Sequence, residues 1–292
     1  MESATIPVDV LPWLPRRKFD SHKGSFGKVL IAAGGRGMSG AAILCGCGAL
    51  RSGAGLVQVA TPANVQAIVA AGNPCYTTFP IHQHADGTFS EQSATQVIDW
   101  AKSASALAIG PGLGHGADIA GFVKQVVGEL PQIPTVIDAD GLNSLSPFQD
   151  EFSKRSIPLI LTPHPGEFCR LSGKSMAEIE AHRDDLAVDF AAKFSVVLLL
   201  KGAGTIVTDG RRLYRNTTGN PGMATGGSGD VLTGVIAALL GQRLSPFDAA
   251  VLGAWVHGRA GDLAARELGE IGMIAADLPG YLAQAFRELQ RN

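Results

Sequence analysis

From residue 28 to residue 215, short β-branched and aliphatic runs alternate with stretches of small, helix-compatible residues, and this alternation restricts the fold more than any other feature. Lys28–Ala33 predicts a strand leading into a helix through about Arg51, and Leu56–Thr61 predicts a second strand before a helical stretch at Asn64–Ala71. Ala106–Ile109, Thr135–Asp138, Leu159–Thr162, Val196–Leu200, Thr205–Thr208 and Arg212–Arg215 are further short strands, the last two forming a hairpin that turns at Asp209-Gly210. Long helical patterns follow over about 228–241 and 246–268. Strand–helix alternation predicts an α/β fold, a mainly parallel sheet with helices on both faces, and the hairpin predicts an antiparallel edge. Residues 1–24 are Pro-rich and read as an N-terminal arm. No linker long enough to divide the rest is visible, so 25–292 reads as one domain.

Composition narrows the function classes. Of the 292 residues, 46% are hydrophobic and 17% charged, which is enough for a large core. The formal net charge is −2 and no basic block appears beyond Arg16-Arg17-Lys18, which argues against nucleic-acid binding. The longest apolar runs, such as Val196–Leu200 and Val235–Leu240, are too short to span a bilayer, and no charged segment followed by an apolar one opens the chain. The four cysteines form no CxxC pair and read as free, buried thiols of a reducing cytoplasm.

On a parallel sheet, ligands bind beyond the carboxyl ends of the strands, and three glycine loops lie there. Gly35, Gly37 and Gly40 in Gly34–Gly40 fit GxGxxG. A dinucleotide-binding fold of that kind also needs an acidic residue at the end of its second strand. Val59-Ala60-Thr61-Pro62 has none, so the dehydrogenase reading is set aside. Gly110-Pro111-Gly112-Leu113-Gly114 follows the Ala106–Ile109 strand, where glycines would let a ligand approach the backbone. Gly226-Gly227-Ser228-Gly229-Asp230 enters the 228–241 helix and is the most informative stretch. Successive amides at a helix N-terminus make a hole for an anion such as a transferring phosphoryl group, and a carboxylate beside it can deprotonate an attacking hydroxyl. The rival reading makes Asp230 a first-turn acid and Ser228 an N-cap. Gly173-Lys174-Ser175 resembles the tail of a Walker A motif, but Phe168 stands where its first glycine belongs.

Other polar positions cluster after the strands. Thr162-Pro163-His164-Pro165-Gly166-Glu167 holds His164 rigidly, either to touch a ligand or to serve the structure, and Glu167 reads as a helix cap or a neighbour of metal-bound water. Asp138-Ala139-Asp140-Gly141-Leu142-Asn143 reads equally as an oxygen-rich Mg²⁺ loop and as an Asx turn with a cap. Lys201–Thr205 is small enough to admit adenine or ribose, or is a plain tight turn. His257 reads as a packed helix-face histidine.

The Gly-Gly-Ser-Gly-Asp helix entry resembles the anion hole of ribokinase-like kinases, in which the Asp is the catalytic base. Lys23–Leu30 with the following GGRGMSGAA, Gly110–Gly114, Asp138–Asn143, Thr162–Glu167, Lys201–Thr205 and Asn220–Asp230 stand in order along the chain, and the set is similar to the NAD(P)H-hydrate dehydratases. The resemblance implies a ribokinase-like fold and removal of water from the S epimer of hydrated NADH or NADPH at the expense of ADP or ATP. It implies Asp230 as base and the amides of Gly227, Ser228 and Gly229 as anion hole. It also implies substrate contacts at Ala42, Gly112, His164 and Asp230, and nucleotide contacts at Lys201, Gly202, Ala203, Gly204, Thr205 and Gly229. Mg²⁺ is expected with the nucleotide, with Asp138, Asn143 and Glu167 as candidate ligands. A cytoplasmic homo-oligomer, a tetramer as in stand-alone bacterial members, is implied in the same way. Some members carry an additional epimerase domain, and with an arm of about 24 residues here that activity is not expected. The alternative is a ribokinase-like kinase of a small hydroxylated vitamin precursor.

Overall fold

The computed structural model describes residues 5–90, 92–153 and 157–289, so the first four residues of the arm lie outside it. Its strands are β1 (Ile6–Pro7), β2 (Lys28–Ala32), β3 (Leu56–Pro62), β4 (Thr77–Ile81), β5 (Ala106–Ile109), β6 (Thr135–Ile137), β7 (Leu159–Leu161), β8 (Val197–Leu200), β9 (Ile206–Thr208) and β10 (Arg212–Arg215). They form one sheet in the order β1-β10-β9-β8-β7-β6-β5-β2-β3-β4. The pairings from β4 through β8 are parallel, whereas β9 runs antiparallel to both β8 and β10. The α/β architecture and the antiparallel edge follow the sequence expectation. Two strands escaped it: β4, and β1 within the arm, where Ile6 and Pro7 pair in parallel with Arg212 and Leu213.

The helices are α1 (Ser39–Arg51), α2 (Gln66–Gly72), α3 (Ser93–Ala101), α4 (Ala117–Glu129), α5 (Asp140–Ser144), α6 (Asp150–Ser153), α7 (Pro165–Ser172), α8 (Met176–Ala181), α9 (Arg183–Phe194), α10 (Ser228–Gly241), α11 (Pro246–Leu268) and α12 (Leu278–Leu289). Strand side chains alternate between two cores. Val29, Ile31, Ala106 and Ala108 face a layer built on α1, α10, α11 and α12, while Leu30, Ala32, Leu107 and Ile109 face α3, α4 and α9. Helix α10 is apolar all round and nearly every residue is buried, because it lies between the sheet, α1 and α11. The alanines of β5 leave room for it.

After β1 at the far edge, the chain enters the centre of the sheet at β2, runs outward through β3 and β4, then returns to the other side of β2 with β5. This reversal is the topological switch point, where ligands bind on sheets of this kind, and the loops after β2 and β5 meet there. All four cysteines are free, but only Cys45 is buried, and Cys75 is exposed on a turn rather than hidden as expected. Among the described residues no helix is long and apolar enough to cross a membrane.

Candidate active site

At the switch point the glycine loops lock onto one another. Gly34 donates its N–H to Pro111 O at 2.8 Å, joining the loops after β2 and β5. Gly110 has φ 131°, and an added Cβ would collide with the carbonyl of Asp138, so only glycine lets these strand ends come together. Gly112 packs against Met38 and Ala41 at the mouth of α1, and Gly114 donates its N–H to Asp140 Oδ2 at 2.8 Å. Ala42 is fully buried beneath Gly34, so its side chain supports the loop from below.

Beside these loops lies a charged cluster drawn from four elements. Asp138, 1% exposed at the end of β6, accepts from Lys201 Nζ at 2.7 Å and from Thr233 Oγ1 at 2.7 Å. The Lys201 ammonium also lies 3.7 Å from Glu167 Oε2. Burial alone would lower the Lys201 pKa, but the Asp138 and Glu167 carboxylates outweigh it and the net shift is upward, so the ammonium stays charged. Gly229 packs directly on this pair: a Cβ there would stand 3.3 Å from Lys201 Nζ and 3.4 Å from Asp138 Oδ2. The cation therefore sits at the mouth of α10, where the helix dipole also favours an anion.

Asp230 projects from the first turn of α10. Burial raises its carboxyl to about 7, helped by Asp138, Asp140 and Glu167 and opposed by Lys201. A carboxylate with that affinity for protons, next to an anion-binding helix end, suits a general base near neutral pH. The N-cap of α10 is Gly227 in the left-handed region (φ 96°), whereas Ser228 Oγ donates to Met223 O at 2.8 Å. The alternative reading of Ser228 as N-cap is thereby corrected: the backbone at 227 makes the turn, and the hydroxyl ties it to the preceding segment.

His164 caps α7. Its Nδ1 accepts from the amides of Gly166 (3.1 Å) and Glu167 (3.3 Å), and the His164 backbone N–H donates to Glu167 Oε2 at 2.8 Å. An imidazole that accepts at Nδ1 carries its ring proton on Nε2, so an N–H is fixed at the half-exposed edge of the ring.

A cavity of about 610 Å³ opens on the other side of α10, between Lys201–Thr205, the 216–224 segment and α11. Arg183, at the start of α9, holds its near wall: Nη1 donates to Ala203 O at 2.9 Å, and Nη2 donates to Leu200 O at 3.0 Å and Lys201 O at 2.9 Å. The far wall hangs on α11 through Thr218 Oγ1 to Trp255 O at 2.9 Å and Asn220 Nδ2 to Asp262 Oδ1 at 3.1 Å. Sequence reasoning missed Arg183, Thr233 and Asp262, because each works on a partner far away in the chain.

Of the candidate metal ligands, Asp138 and Glu167 come together at the Lys201 ammonium, whereas Asn143 is engaged elsewhere. Lys201 lies between Asp138 and Glu167, where a divalent cation would have to sit, and Asn143 Oδ1 accepts instead from Arg170 Nε at 2.9 Å. Among the described residues no group of three or more His, Cys, Asp or Glu side chains is arranged to hold a metal ion. Gly173-Lys174-Ser175 is a helix junction, with Gly173 ending α7 in the left-handed region (φ 72°) and Ser175 capping α8.

Comparison with known proteins agrees with this geometry. A family model described as NAD(P)H-hydrate dehydratase matches residues 29–284. The bifunctional NAD(P)H-hydrate repair enzyme of Moorella thermoacetica is 44% identical over 279 residues, covering 95% of this chain and 52% of that protein, so the chain spans about half the length of that relative. The ADP-dependent (S)-NAD(P)H-hydrate dehydratase of Bacillus subtilis is 33% identical over 95% of each chain. A crystal structure of the ADP/ATP-dependent NAD(P)H-hydrate dehydratase of Bacillus subtilis, co-crystallized with ATP/Mg²⁺, superposes with a TM-score of 0.80 at 32% identity over 94% of each chain. By motif order, fold and family match, the chain belongs to the NAD(P)H-hydrate dehydratase family.

Proposed function

We propose that the chain is an ADP- or ATP-dependent dehydratase that returns the S epimer of NADH or NADPH hydrate to NADH or NADPH, releasing AMP or ADP and phosphate. The observation that carries the reading is Asp230, poised near pH 7 at the mouth of α10, between the glycine loops and the cavity lined by Lys201–Thr205. In the reading, the hydrated ring lies at the glycine loops near Gly112 and His164, with Ala42 shaping its floor. The nucleotide lies along Lys201, Gly202, Ala203, Gly204, Thr205 and Gly229. Each then meets α10 from its own side.

Hydroxide is a poor leaving group, and phosphorylation turns it into a good one. Asp230 takes the proton of the C6 hydroxyl as that oxygen attacks the terminal phosphorus, and the bond to the nucleotide's leaving oxygen breaks. The amides of Gly227, Ser228 and Gly229 and the Lys201 ammonium stabilise the moving phosphoryl charge. The ring-nitrogen lone pair then expels phosphate from C6, and loss of the C5 proton restores the double bond. Mg²⁺ accompanying the nucleotide would offset the negative charge of its phosphates, with Asp138 and Glu167 as the carboxylates that would hold its waters. A cytoplasmic homotetramer completes the reading.

The test is to incubate purified protein with hydrated NADH and either ADP or ATP, following the dihydronicotinamide absorbance. Return of NADH, strictly dependent on nucleotide, is the expected result. No return of NADH, together with phosphoryl transfer to a thiazole or pyrimidine alcohol, would replace the reading with a vitamin-precursor kinase.

A further inference from the structure

The cavity between Lys201–Thr205, the 216–224 segment and α11 turns its polar side chains toward the protein rather than toward a ligand. Asn216, 9% exposed, donates both amide hydrogens, to Thr218 O at 3.0 Å and to Ala254 O at 3.3 Å, and accepts from the Tyr214 hydroxyl at 3.2 Å. Thr218 Oγ1 donates to Trp255 O at 2.9 Å, Thr205 Oγ1 to Gly202 O at 2.9 Å, and Ser228 Oγ to Met223 O at 2.8 Å. Asn220 is bonded on both sides, donating to Asp262 Oδ1 at 3.1 Å and accepting from the Gly222 N–H at 3.0 Å. Between these pairs the wall is apolar, with Pro221, Met223, Leu232 and Ala254. The Lys201 ammonium stands beside Gly229 at the mouth of α10. One end of the cavity thus offers a charge, and the rest offers apolar surface and hydrogen bonds already made.

We infer that the cavity takes nucleoside polyphosphates as a class, gripping the phosphates and the faces of the base without reading its edge, so that guanine, cytosine and uracil nucleotides serve beside the adenine one. The inference rests on the assignment of this cavity to the nucleotide, and it names the substrate class of that site. A pocket rejects a near-isostere strongly when the wrong ligand leaves buried polar groups unpaired, whereas an apolar wall discriminates far less. Here the polar side chains of the wall are paired within the protein. Exchanging an amino group for a carbonyl on the base edge therefore strands none of them. A purine buries more apolar area than a pyrimidine, so ADP and GDP lead CDP and UDP by a small factor. The transfer is the same for each: the terminal phosphoryl group passes to the C6 oxygen, and the nucleotide leaves one phosphate shorter.

Two measurements on the full chain test this. In the first, a fluorescent N-methylanthraniloyl derivative of ADP is displaced by ADP, GDP, CDP or UDP. Purine riboside diphosphate, which lacks the exocyclic amino group, and ribose 5-diphosphate, which lacks the base, are compared with them. The four common diphosphates are expected to displace the probe within about tenfold of one another, and purine riboside diphosphate to match ADP. Ribose 5-diphosphate is expected to be weaker by about tenfold or more, because it loses the apolar contact of the base. In the second, return of NADH from its hydrate is followed with each nucleotide, in the di- or triphosphate form that supports turnover, and kcat/KM is expected to span the same tenfold. A preference for ADP above about a hundredfold over GDP, CDP, UDP or purine riboside diphosphate overturns the inference, because the wall must then read the base edge. Ribose 5-diphosphate that binds as tightly as ADP also overturns it, because the base would then lie outside the cavity. Displacement by ADP alone, with NADH returned, defeats the inference and leaves the dehydratase reading standing. Equal displacement without return of NADH upholds the tolerance for the base and defeats that reading.

Discussion

At the scale of single residues, the site trades stability for reactivity at Asp230. Its folded-state carboxyl, raised by burial to about 7, binds a proton more tightly than it would in the unfolded chain, where the ordinary value is 3.8. Its contribution is therefore most favourable below the unfolded value and is lost as pH rises through about 7. Two results follow. In the free enzyme kcat/KM is expected to fall about tenfold per pH unit below 7, as the base takes up its proton, and a rate profile flat from pH 6 to 8 would remove Asp230 from the proton transfer. Asp230→Asn is expected to cut turnover by about 10² or more with ADP binding little changed, while raising thermal stability at pH 8 by on the order of 2 kcal/mol and by much less at pH 5. Calorimetry at the two pH values checks the sign. The glycine-rich turn that carries Asp230 was legible in the sequence because its pattern is local, three glycines and an acid within five residues. Lys201 was legible only as a nucleotide contact. That it also lies between Asp138 and Glu167 depends on the end of β6, the start of α7 and the end of β8 lying side by side, and short-range spacing cannot express that.

At the scale of elements, the crossing of α1 and α10 sets where the anion hole sits. Gly48 meets the carbonyl of Val231, and Gly234 meets the carbonyl of Cys45, so a methyl group at either position would collide with backbone of the facing helix. Neither position has a positive φ, so the requirement is closeness rather than turn geometry. Gly234→Ala must part the helices and shift the first turn of α10 away from Lys201 and Asp138. We expect a stability loss of about 1–3 kcal/mol in denaturant titration and a fall in kcat larger than the rise in KM for ADP. Arg183→Met acts on the neighbouring wall. It frees the carbonyls of Leu200, Lys201 and Ala203 and is expected to raise KM for ADP about tenfold with little change in kcat, because the base and anion hole remain in place. The limits of α10 and α11 and the end of α1 were readable from the sequence almost to the residue, since each stops at a glycine, polar or proline break. Strand β4 was not readable, because Pro80 within Thr77–Ile81 is a poor strand residue, and it is tolerated here only because β4 lies at the edge of the sheet.

At the scale of the whole molecule, the reactive groups gather at the centre of the sheet, on β2, β5, β6, β7 and β8, and the edges serve other ends. The arm shows this separation. Its Ile6–Pro7 pairs with β10, its Val8, Leu11 and Leu14 pack partly against the α10 core, and Arg17 Nη2 donates to Gly53 O at 2.6 Å while its guanidinium stacks on Phe26. Sequence patterning missed β1 because a parallel pairing partner some two hundred residues away leaves no local signature. Strands β9 and β10 stand between the arm and β8, which leads into Lys201, so strain at that edge has little route to the cluster. Deleting residues 1–14 removes three partly buried apolar side chains and uncovers the β10 edge. At about 1 kcal/mol for each half-buried side chain, melting should fall by several degrees. The bare edge should also raise the tendency to aggregate on heating. ADP affinity and kcat should stay within about threefold of the full chain, measured well below the melting point. A deletion that leaves melting untouched would show that the arm adds nothing to the core. A deletion that abolishes ADP binding at low temperature would show that the edge and the centre of this sheet are coupled through β9 and β10.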